Sequence, residues 1–277
     1  MATKKLAIHV LPDSNPQNVA DLVREFARDP NLTFSTARGL VAFMKDSGSK
    51  SNGWVVSTAT GMGILHKVDS VLSIASRGIA LGSSKEALLG DLLHYCMFTG
   101  WSEEEPLEFL QSWSYRQICV RYWQERRVEL SSEYIDRVVS ETTANALEQF
   151  SQNGHFESAS FGPKSMRGAH NWLSALTPPV LENSTFTRRT FCPPELLVLA
   201  IGYALRGEEV TEFDILLTPD RRAAICQVCL LDPDYLDKTL DWAMSVFPGL
   251  ISPGTSAGFY GRFVRLHKLP SIEDVVQ

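Results

Sequence analysis

The sequence predicts a mostly α-helical protein in which a group of three helices and a β-hairpin occurs twice, with a helical middle segment between the two groups. Three observations predict this arrangement. Helix-capping residues recur before apolar stretches with helical spacing, a β-patterned segment follows the third helix of each group, and the middle has helical periodicity. With 44% hydrophobic and 21% charged residues in 277 positions, the composition is that of a folded chain of about two domains.

The first group of elements begins with a capped helix. Asn15 is suited to be its N-cap and Pro16 its first residue, because proline lacks the N–H that a helix start leaves unpaired. A second predicted helix ends at Gly48, and a third covers residues 52–65. Residues 68–81 then have the composition of short strands around a polar turn, which predicts a hairpin.

The predicted domain boundaries follow from these patterns. Residues 1–82 form the N-terminal domain and residues 83–150 a helical middle segment. Three carboxylates within residues 102–106 are interpreted as the start of a helix, where negative charge complements the helix dipole. Residues 151–165 are rich in Ser and Gly and are predicted to be a linker, so residues 166–277 form the C-terminal domain.

The C-terminal domain repeats the helix-capping pattern of the first group. Thr218 precedes Pro219 at the start of its second helix, and Asp232 precedes Pro233 at the start of its third. A Gly-rich turn then leads into residues 259–268, whose aromatic and β-branched side chains favour a strand. Three helices and a β element are therefore predicted here as well.

Both groups resemble the winged-helix variant of the helix-turn-helix plan, in which three helices precede a two-stranded hairpin. Over most of its length the chain is similar to tandem winged-helix proteins encoded in prokaryotic mobile-element and phage-defence loci. This resemblance rests on the order of the elements. It implies an accessory role in DNA binding, within an antiviral defence or mobile-element system.

Charge distinguishes the two predicted domains. The chain has a net charge of −6, yet residues 1–82 carry nine basic and six acidic side chains, a net charge of +3. The N-terminal third helix contains no acidic residue, whereas the C-terminal one has several aspartates and one lysine: Asp232, Asp234, Asp237, Asp241 and Lys238. Carboxylates repel phosphates, so we expect double-stranded DNA to bind the N-terminal domain and a protein partner to bind the acidic C-terminal domain.

The predicted DNA contacts are basic or hydrogen-bonding side chains on and around the N-terminal third helix, and they address mainly phosphates. They are Lys50, Asn52, Ser57, Thr58, Lys67 and Arg77, the last of which is expected in the hairpin. Winged-helix domains also bind proteins, so the alternative function is an adaptor subunit without DNA contact. An enzyme of unrecognised type is the third possibility.

No pattern in the sequence predicts catalysis. Ser256 lies in a G-x-S-x-G pentapeptide, but a nucleophile elbow requires a helix after the serine, and a hairpin turn accounts for these glycines. Cys226 and Cys229 form one C-x-x-C without a second pair or a nearby histidine, as expected for buried apolar side chains. We therefore predict no catalytic residue, no metal and no cofactor.

An aromatic residue beside arginines is the remaining candidate for nucleic-acid contact. On a helix, Trp123 lies near Arg116 and Arg127, and such a set can stack on bases or bind a partner. The favoured interpretation is that Trp123 packs between domains while the arginines pair with nearby acids, because this region is acidic.

The longest apolar run, residues 196–205, is about half the length of a membrane span. The N-terminal apolar run is interrupted by His9 and is too short for a signal sequence. We therefore expect a cytoplasmic protein with no membrane partner.

Overall fold

The computed structural model describes residues 4–206, 214–255 and 261–276. These residues form mostly α-helices with small β-sheets, in two compact units, Met1–Thr187 and Arg188–Gln277. The chain is thus divided later than the predicted linker at residues 151–165. In the described part of the chain, no helix is long and apolar enough to cross a membrane.

The first part of the N-terminal unit contains the helices and the hairpin of the first predicted group. The elements are β1 (Lys4–Ala7), a short 3₁₀ helix (Pro12–Ser14), α1 (Pro16–Arg28), β2 (Thr33–Phe34), α2 (Ala37–Asp46), α3 (Gly53–Gly61), β3 (Leu65–Val68), β4 (Val71–Ile74) and α4 (Ser76–Ser83). Strands β2, β3 and β4 form an antiparallel sheet in the order β2–β4–β3. Helix α3 ends at Gly61 rather than at residue 65, because Gly63 has a positive φ of 68° and turns the chain into β3.

Side-chain caps fix where these helices start. The side chain of Asn15 accepts a hydrogen bond from the Asn18 backbone N–H at 2.9 Å, and Pro16 follows it, so the predicted cap of α1 is confirmed. Thr36 caps α2. Apolar side chains of the three helices then meet in a fully buried core: Val19, Leu22, Val23, Phe26, Leu40, Met44, Val55 and Ala59.

The hairpin is shorter than the predicted β-patterned segment. Asp69 and Ser70 both have positive φ, 48° and 69°, so a two-residue turn joins β3 to β4. The hairpin ends at Ile74, and the next residues form α4. Arg77 therefore lies on a helix, and its predicted place in the hairpin is wrong.

The rest of the N-terminal unit is helical with two further small sheets. Its elements are α5 (Glu86–Thr99), α6 (Leu110–Gln124), β5 (Arg127–Glu129), α7 (Ser132–Phe150), a 3₁₀ helix (Ser151–Asn153), β6 (Phe156–Ser160), α8 (Pro163–Ser174), β7 (Leu181–Glu182) and β8 (Thr185–Thr187). Strand β6 pairs in parallel with β1, and β5, β8 and β7 form an antiparallel sheet. Residues 151–165 are therefore part of this unit and not a linker.

A buried aromatic cluster joins β1 to the helices of this unit. It contains Leu6, Ile8, Trp101, Trp113, Ala146 and Phe150. The rings of Trp101 and Trp113 both meet Phe150 edge to face, with centroids 6.2 Å and 5.3 Å away. Because Trp101 lies two residues after the end of α5, this cluster fixes the start of the loop that leads to α6.

The C-terminal unit has the same order of elements as the first part of the N-terminal unit. Its elements are α9 (Pro194–Ala204), β9 (Asp214–Leu216), α10 (Pro219–Cys229), a 3₁₀ helix (Pro233–Tyr235), α11 (Leu236–Val246), β10 (Ile251–Pro253), β11 (Phe263–Leu266) and α12 (Ile272–Val275). The sheet order is β10–β11–β9, so here too the first strand pairs with the last. Thr218 caps α10 as predicted, whereas Asp232 and Pro233 start the 3₁₀ helix that precedes α11.

Candidate functional site

A groove of about 610 Å³ lies between α3, the β3–β4 hairpin and the loop that joins α5 to α6. We call this space the N-terminal groove and residues 102–109 the acidic loop. The groove is lined by Val56, Ser57 and Thr60 of α3, by Lys67 and Leu72 of the hairpin, and by Glu105, Glu108 and Phe109 of the acidic loop. It is the outer face of the third helix of the first group.

The α3 wall of the groove contributes hydroxyl groups and no charge. Asn52 fixes the start of the helix, because its side-chain oxygen accepts from the backbone N–H groups of Trp54 and Val55 at 2.9 and 3.2 Å. Ser57 and Thr60 are exposed, and the hydroxyl of Thr60 donates to the carbonyl of Val56 at 2.9 Å. No residue of α3 is ionisable.

Hydrogen bonds hold the acidic loop at its two ends and in its middle. The backbone N–H of Trp101 donates to the Ser112 hydroxyl at 2.8 Å, and its indole N–H donates to the carbonyl of Pro106 at 3.0 Å. Within the loop, the backbone N–H of Glu108 donates to the carbonyl of Glu105 at 2.9 Å. This turn holds both glutamates on the part of the loop that lines the groove.

Phe109 joins the acidic loop to the end of α3. Its ring lies so close to Gly61 and Gly100 that a Cβ atom on Gly61 would overlap it, and one on Gly100 would lie 2.7 Å from a ring carbon. Phe109 itself has a φ of 45° and a ψ of 45°, in the left-handed region that side-chain-bearing residues seldom adopt. Two glycines and one unusual backbone conformation therefore set the position of this wall.

The groove carries a net negative charge. Its ionisable residues are one lysine, Lys67, and two glutamates, Glu105 and Glu108. All three side chains are exposed, and none forms an ion pair with another described residue. The groove therefore offers two accessible carboxylates to a cationic ligand.

The structure brings together only part of the predicted DNA-contact set. Ser57 and Lys67 are exposed and line the groove, and Lys50 is exposed three positions before α3. Asn52 is half-buried, and its side-chain oxygen is committed to the cap of α3. These four residues keep at least one group that a ligand can reach.

Thr58 and Arg77 are corrections to that set. Thr58 is only 1% exposed, and its hydroxyl donates to Oε1 of Gln111 on α6 at 3.2 Å, so it belongs to the interior. The Arg77 guanidinium donates to the carbonyl of Met62 at 2.9 Å, where it holds the end of α3. Thr58 is therefore not available to DNA, whereas Arg77 is half-buried on α4 and has one guanidinium nitrogen committed to α3.

The sequence did not indicate the residues that give the groove its character. Glu105 was interpreted as part of a helix start, but α6 begins only at Leu110. Pro106 is the residue that could have indicated a loop here. Proline lacks a backbone N–H and occurs in loops as well as in the first turn of a helix. Trp54, at the start of α3, is 58% exposed and was also missed.

The third helix of the C-terminal unit has fewer unpaired carboxylates than its sequence suggests. Asp237 forms two hydrogen bonds of 2.9 Å with the guanidinium of Arg222, and Asp241 pairs with Arg262. The hydrogen bond from Arg222 lowers the pKa of Asp237. Trp242 is 41% exposed beside these pairs.

Aromatic side chains are exposed on this helix and next to it. The ring centroid of Trp242 lies 5.0 Å from that of Phe191, and Val246 follows one turn later on α11. Each of the three is more than a third exposed. The surface of α11 therefore combines internally neutralised carboxylates with an apolar strip.

Several other candidates from the sequence have structural positions that fit their simpler interpretation. Cys226 and Cys229 are buried free thiols, and burial raises the pKa of Cys226 to about 12 and raises that of Cys229 as well. Trp123 on α6 is buried, and the Arg116 guanidinium lies 4.7 Å from the centre of the Trp101 ring. Ser256 lies outside the described residues.

The N-terminal groove thus combines an apolar floor with hydroxyl groups and two accessible carboxylates. Within the described residues, no cluster of three or more His, Cys, Asp or Glu could hold a metal ion. Comparison with protein-family models, with curated proteins and with solved structures finds no match for this chain.

Proposed function

We propose that this chain is a non-catalytic adaptor that binds a protein partner through the N-terminal groove, and that each unit contains a winged-helix-like domain. The repeated order of elements supports the second part: helix, strand, helix, helix and hairpin occur in both units. In both, the strand after the first helix pairs with the last strand of the hairpin. This is the arrangement expected of a helix-turn-helix domain with a wing.

The observation that carries the adaptor function is the position of Glu105 and Glu108. In a DNA-binding winged helix, the third helix enters the major groove and the hairpin approaches the phosphate backbone. Here the third helix and the hairpin share their groove with two carboxylates and one lysine. Phosphates brought to that face would meet like charge, which weakens binding, whereas a protein segment can complement it.

The C-terminal unit supports the same function independently. Interfaces between proteins are enriched in aromatic residues and depleted of unpaired charges at their centres. The exposed strip of Phe191, Trp242 and Val246 has the first property, and the pairing of Asp237 with Arg222 supplies the second. An adaptor with a binding surface on each unit could connect two partners.

Site-specific photo-crosslinking in cells tests the adaptor function. A photoreactive amino acid at Ser57, in the groove, is expected to give one discrete protein adduct. The matched control places the same group at Ser140, an exposed position of α7 in the same unit. Adducts of nucleic acid from Ser57, or the same adducts from both positions, would contradict the function.

DNA binding, mainly through phosphates, is the second candidate function. It is favoured by Lys50 and Lys67, which are exposed and form no ion pair within the described residues. The accessory role implied by the resemblance to mobile-element and phage-defence proteins belongs to this candidate. A titration with duplex DNA at low salt tests it: saturable binding that a Lys50→Glu/Lys67→Glu variant loses would favour it over the adaptor.

A further inference from the structure

We propose that the N-terminal groove binds an extended peptide segment of the partner through an arginine side chain. This inference rests on the adaptor function and specifies the chemistry of its partner. Glu105 and Glu108 receive the guanidinium, while the rest of the segment lies along α3 and the hairpin.

The dimensions and lining of the groove suit a short peptide segment. Its volume of about 610 Å³ is within the range of protein sites that enclose small ligands. Val56, Leu72 and Phe109 give it an apolar floor, and Ser57 provides an exposed hydroxyl that can bond to a peptide backbone. Such a mixture of apolar surface and a few polar groups is typical of peptide-binding grooves.

The two carboxylates of the groove favour a cationic side chain on the bound peptide. Glu105 and Glu108 are three residues apart, in a turn in which the backbone N–H of Glu108 donates to the carbonyl of Glu105. Neither carboxylate forms an ion pair with a described residue. The planar guanidinium of arginine can donate to two carboxylates at once, which an ammonium does with less geometric specificity. Lys67 is on the hairpin wall, so the arginine is expected on the side of the acidic loop.

The backbone of the acidic loop, which carries both carboxylates, is held in position before any ligand arrives. Trp101 is buried and bonds to Pro106, and the Phe109 ring is enclosed by Gly61 and Gly100. A ligand therefore does not have to order the loop, and less of the interaction free energy is lost on binding.

Nuclear magnetic resonance titration with a capped tetrapeptide, serine-leucine-arginine-serine, tests the proposal on the full chain. We expect amide signals of Ser57, Glu105 and Glu108 to shift with a dissociation constant on the order of 1 mM. The same peptide with citrulline in place of arginine keeps the shape but loses the charge, and we expect it to bind about 10-fold more weakly.

Two variants of equal charge change show whether the groove glutamates are responsible. Glu105→Gln/Glu108→Gln should weaken arginine-peptide binding about 10-fold. Glu103→Gln/Glu104→Gln removes two carboxylates from the same loop that do not line the groove, and it should change binding less than about 2-fold.

Four results would overturn the proposal: absence of arginine-peptide binding, equal binding of the citrulline peptide, equal losses in the two double variants, or displacement of the bound peptide by a short DNA duplex. Crosslinking from Ser57 to a protein partner, together with any of these results, would leave the adaptor function standing and remove only the arginine. A Ser57 position that crosslinks to no protein would instead remove the adaptor function itself.

Discussion

The two units share an order of helices and strands but differ in how their third helices are surrounded by charge. In the N-terminal unit, Glu105 and Glu108 line the groove of α3 and form no ion pair with a described residue. In the C-terminal unit, Asp237 on α11 is neutralised by Arg222. The same arrangement of elements thus presents an open anionic groove in one unit and an apolar strip beside neutralised carboxylates in the other.

This difference shows that the order of elements does not determine what a third helix can bind. In the N-terminal unit the decisive charges come from the acidic loop, which belongs to the helical segment after the hairpin. In the C-terminal unit they come from arginines on α10 and next to β11. Function therefore depends on the neighbours of the helix as much as on its own residues.

The largest expected effect concerns acid stability, because the N-terminal unit encloses a histidine. Burial lowers the pKa of His170 from 6.5 to about 4, and its Nε2 lies 2.8 Å from the hydroxyl of Tyr122. Between these pH values the unfolded chain binds more protons than the folded one, so stability falls as the pH is lowered. We expect a loss of about 3 kcal/mol between pH 6.5 and 4, measured by urea unfolding of the full chain.

His170→Gln should flatten that pH dependence. His9 will leave a residual slope of the same sign, since burial lowers its pKa too. The matched control is His155→Gln, because His155 is exposed, and we expect the acid branch to match that of the parent. If His170→Gln were as sensitive to acid as the parent, the enclosed imidazole would not be the source of the effect.

The second prediction concerns the packing of Phe109 against Gly61, which forms part of the wall of the N-terminal groove. Gly61→Ala forces a Cβ into the Phe109 ring and should lower the free energy of unfolding of this unit by about 1–3 kcal/mol. Gly53→Ala is the control, since Gly53 also lines the groove but no atom lies within 4 Å of the added Cβ. Urea unfolding distinguishes them, and equal stability of the two variants would show that Phe109 does not depend on Gly61.

Local chemistry made parts of this fold predictable from sequence. The caps at Asn15 and Thr218 were predicted because each depends on a side chain and a backbone group three residues apart. Strands β2 and β9, two and three residues long, were missed, since segments so short show no alternation. The pairing of β6 with β1 joins segments about 150 residues apart, which no local pattern encodes.

The groove was less predictable than the fold for the same reason. Thr58 was predicted among the DNA contacts, but its hydrogen bond to Gln111 on α6 and its burial place it in the interior. The acidic loop lies next to α3 through tertiary packing of Phe109 against Gly61. Neither contact can be deduced from the spacing of residues along the chain.

The third prediction measures how much attraction for DNA the N-terminal unit retains. With carboxylates in the groove, we expect only non-specific affinity, with a dissociation constant of about 10⁻⁴ M or weaker at physiological salt. Two cationic contacts give a slope on the order of −2 in log affinity against log salt. Lys50→Glu/Lys67→Glu should weaken the remaining binding about 10-fold at low salt, as measured by fluorescence anisotropy.

Exposed lysines at the starts of two other helices of the unit provide the control for that measurement. Lys85→Glu/Lys164→Glu changes the net charge by the same amount as Lys50→Glu/Lys67→Glu. We expect it to lower the logarithm of the DNA affinity by less than half as much. Tight, saturable binding by the parent, lost only in the Lys50 and Lys67 variant, would reverse the ranking of the two functions.

The smallest expected effect tests the paired carboxylate of the C-terminal unit. The Asp237 side chain is half-exposed, so solvent screens its two hydrogen bonds with Arg222, and we expect the pair to contribute about 0.5 kcal/mol. A double-mutant cycle of Asp237→Asn and Arg222→Gln isolates this coupling by urea unfolding.

Since the hydrogen bond from Arg222 lowers the pKa of Asp237, the contribution of the pair to stability is fully present above pH 3.8 and disappears as the pH falls through the folded-state value. The loss of stability caused by protonation of Asp237 thus begins near the pH at which the loss caused by His170 is nearly complete. A coupling of zero at neutral pH would mean that the carboxylates of α11 are as available to a partner as those of the N-terminal groove.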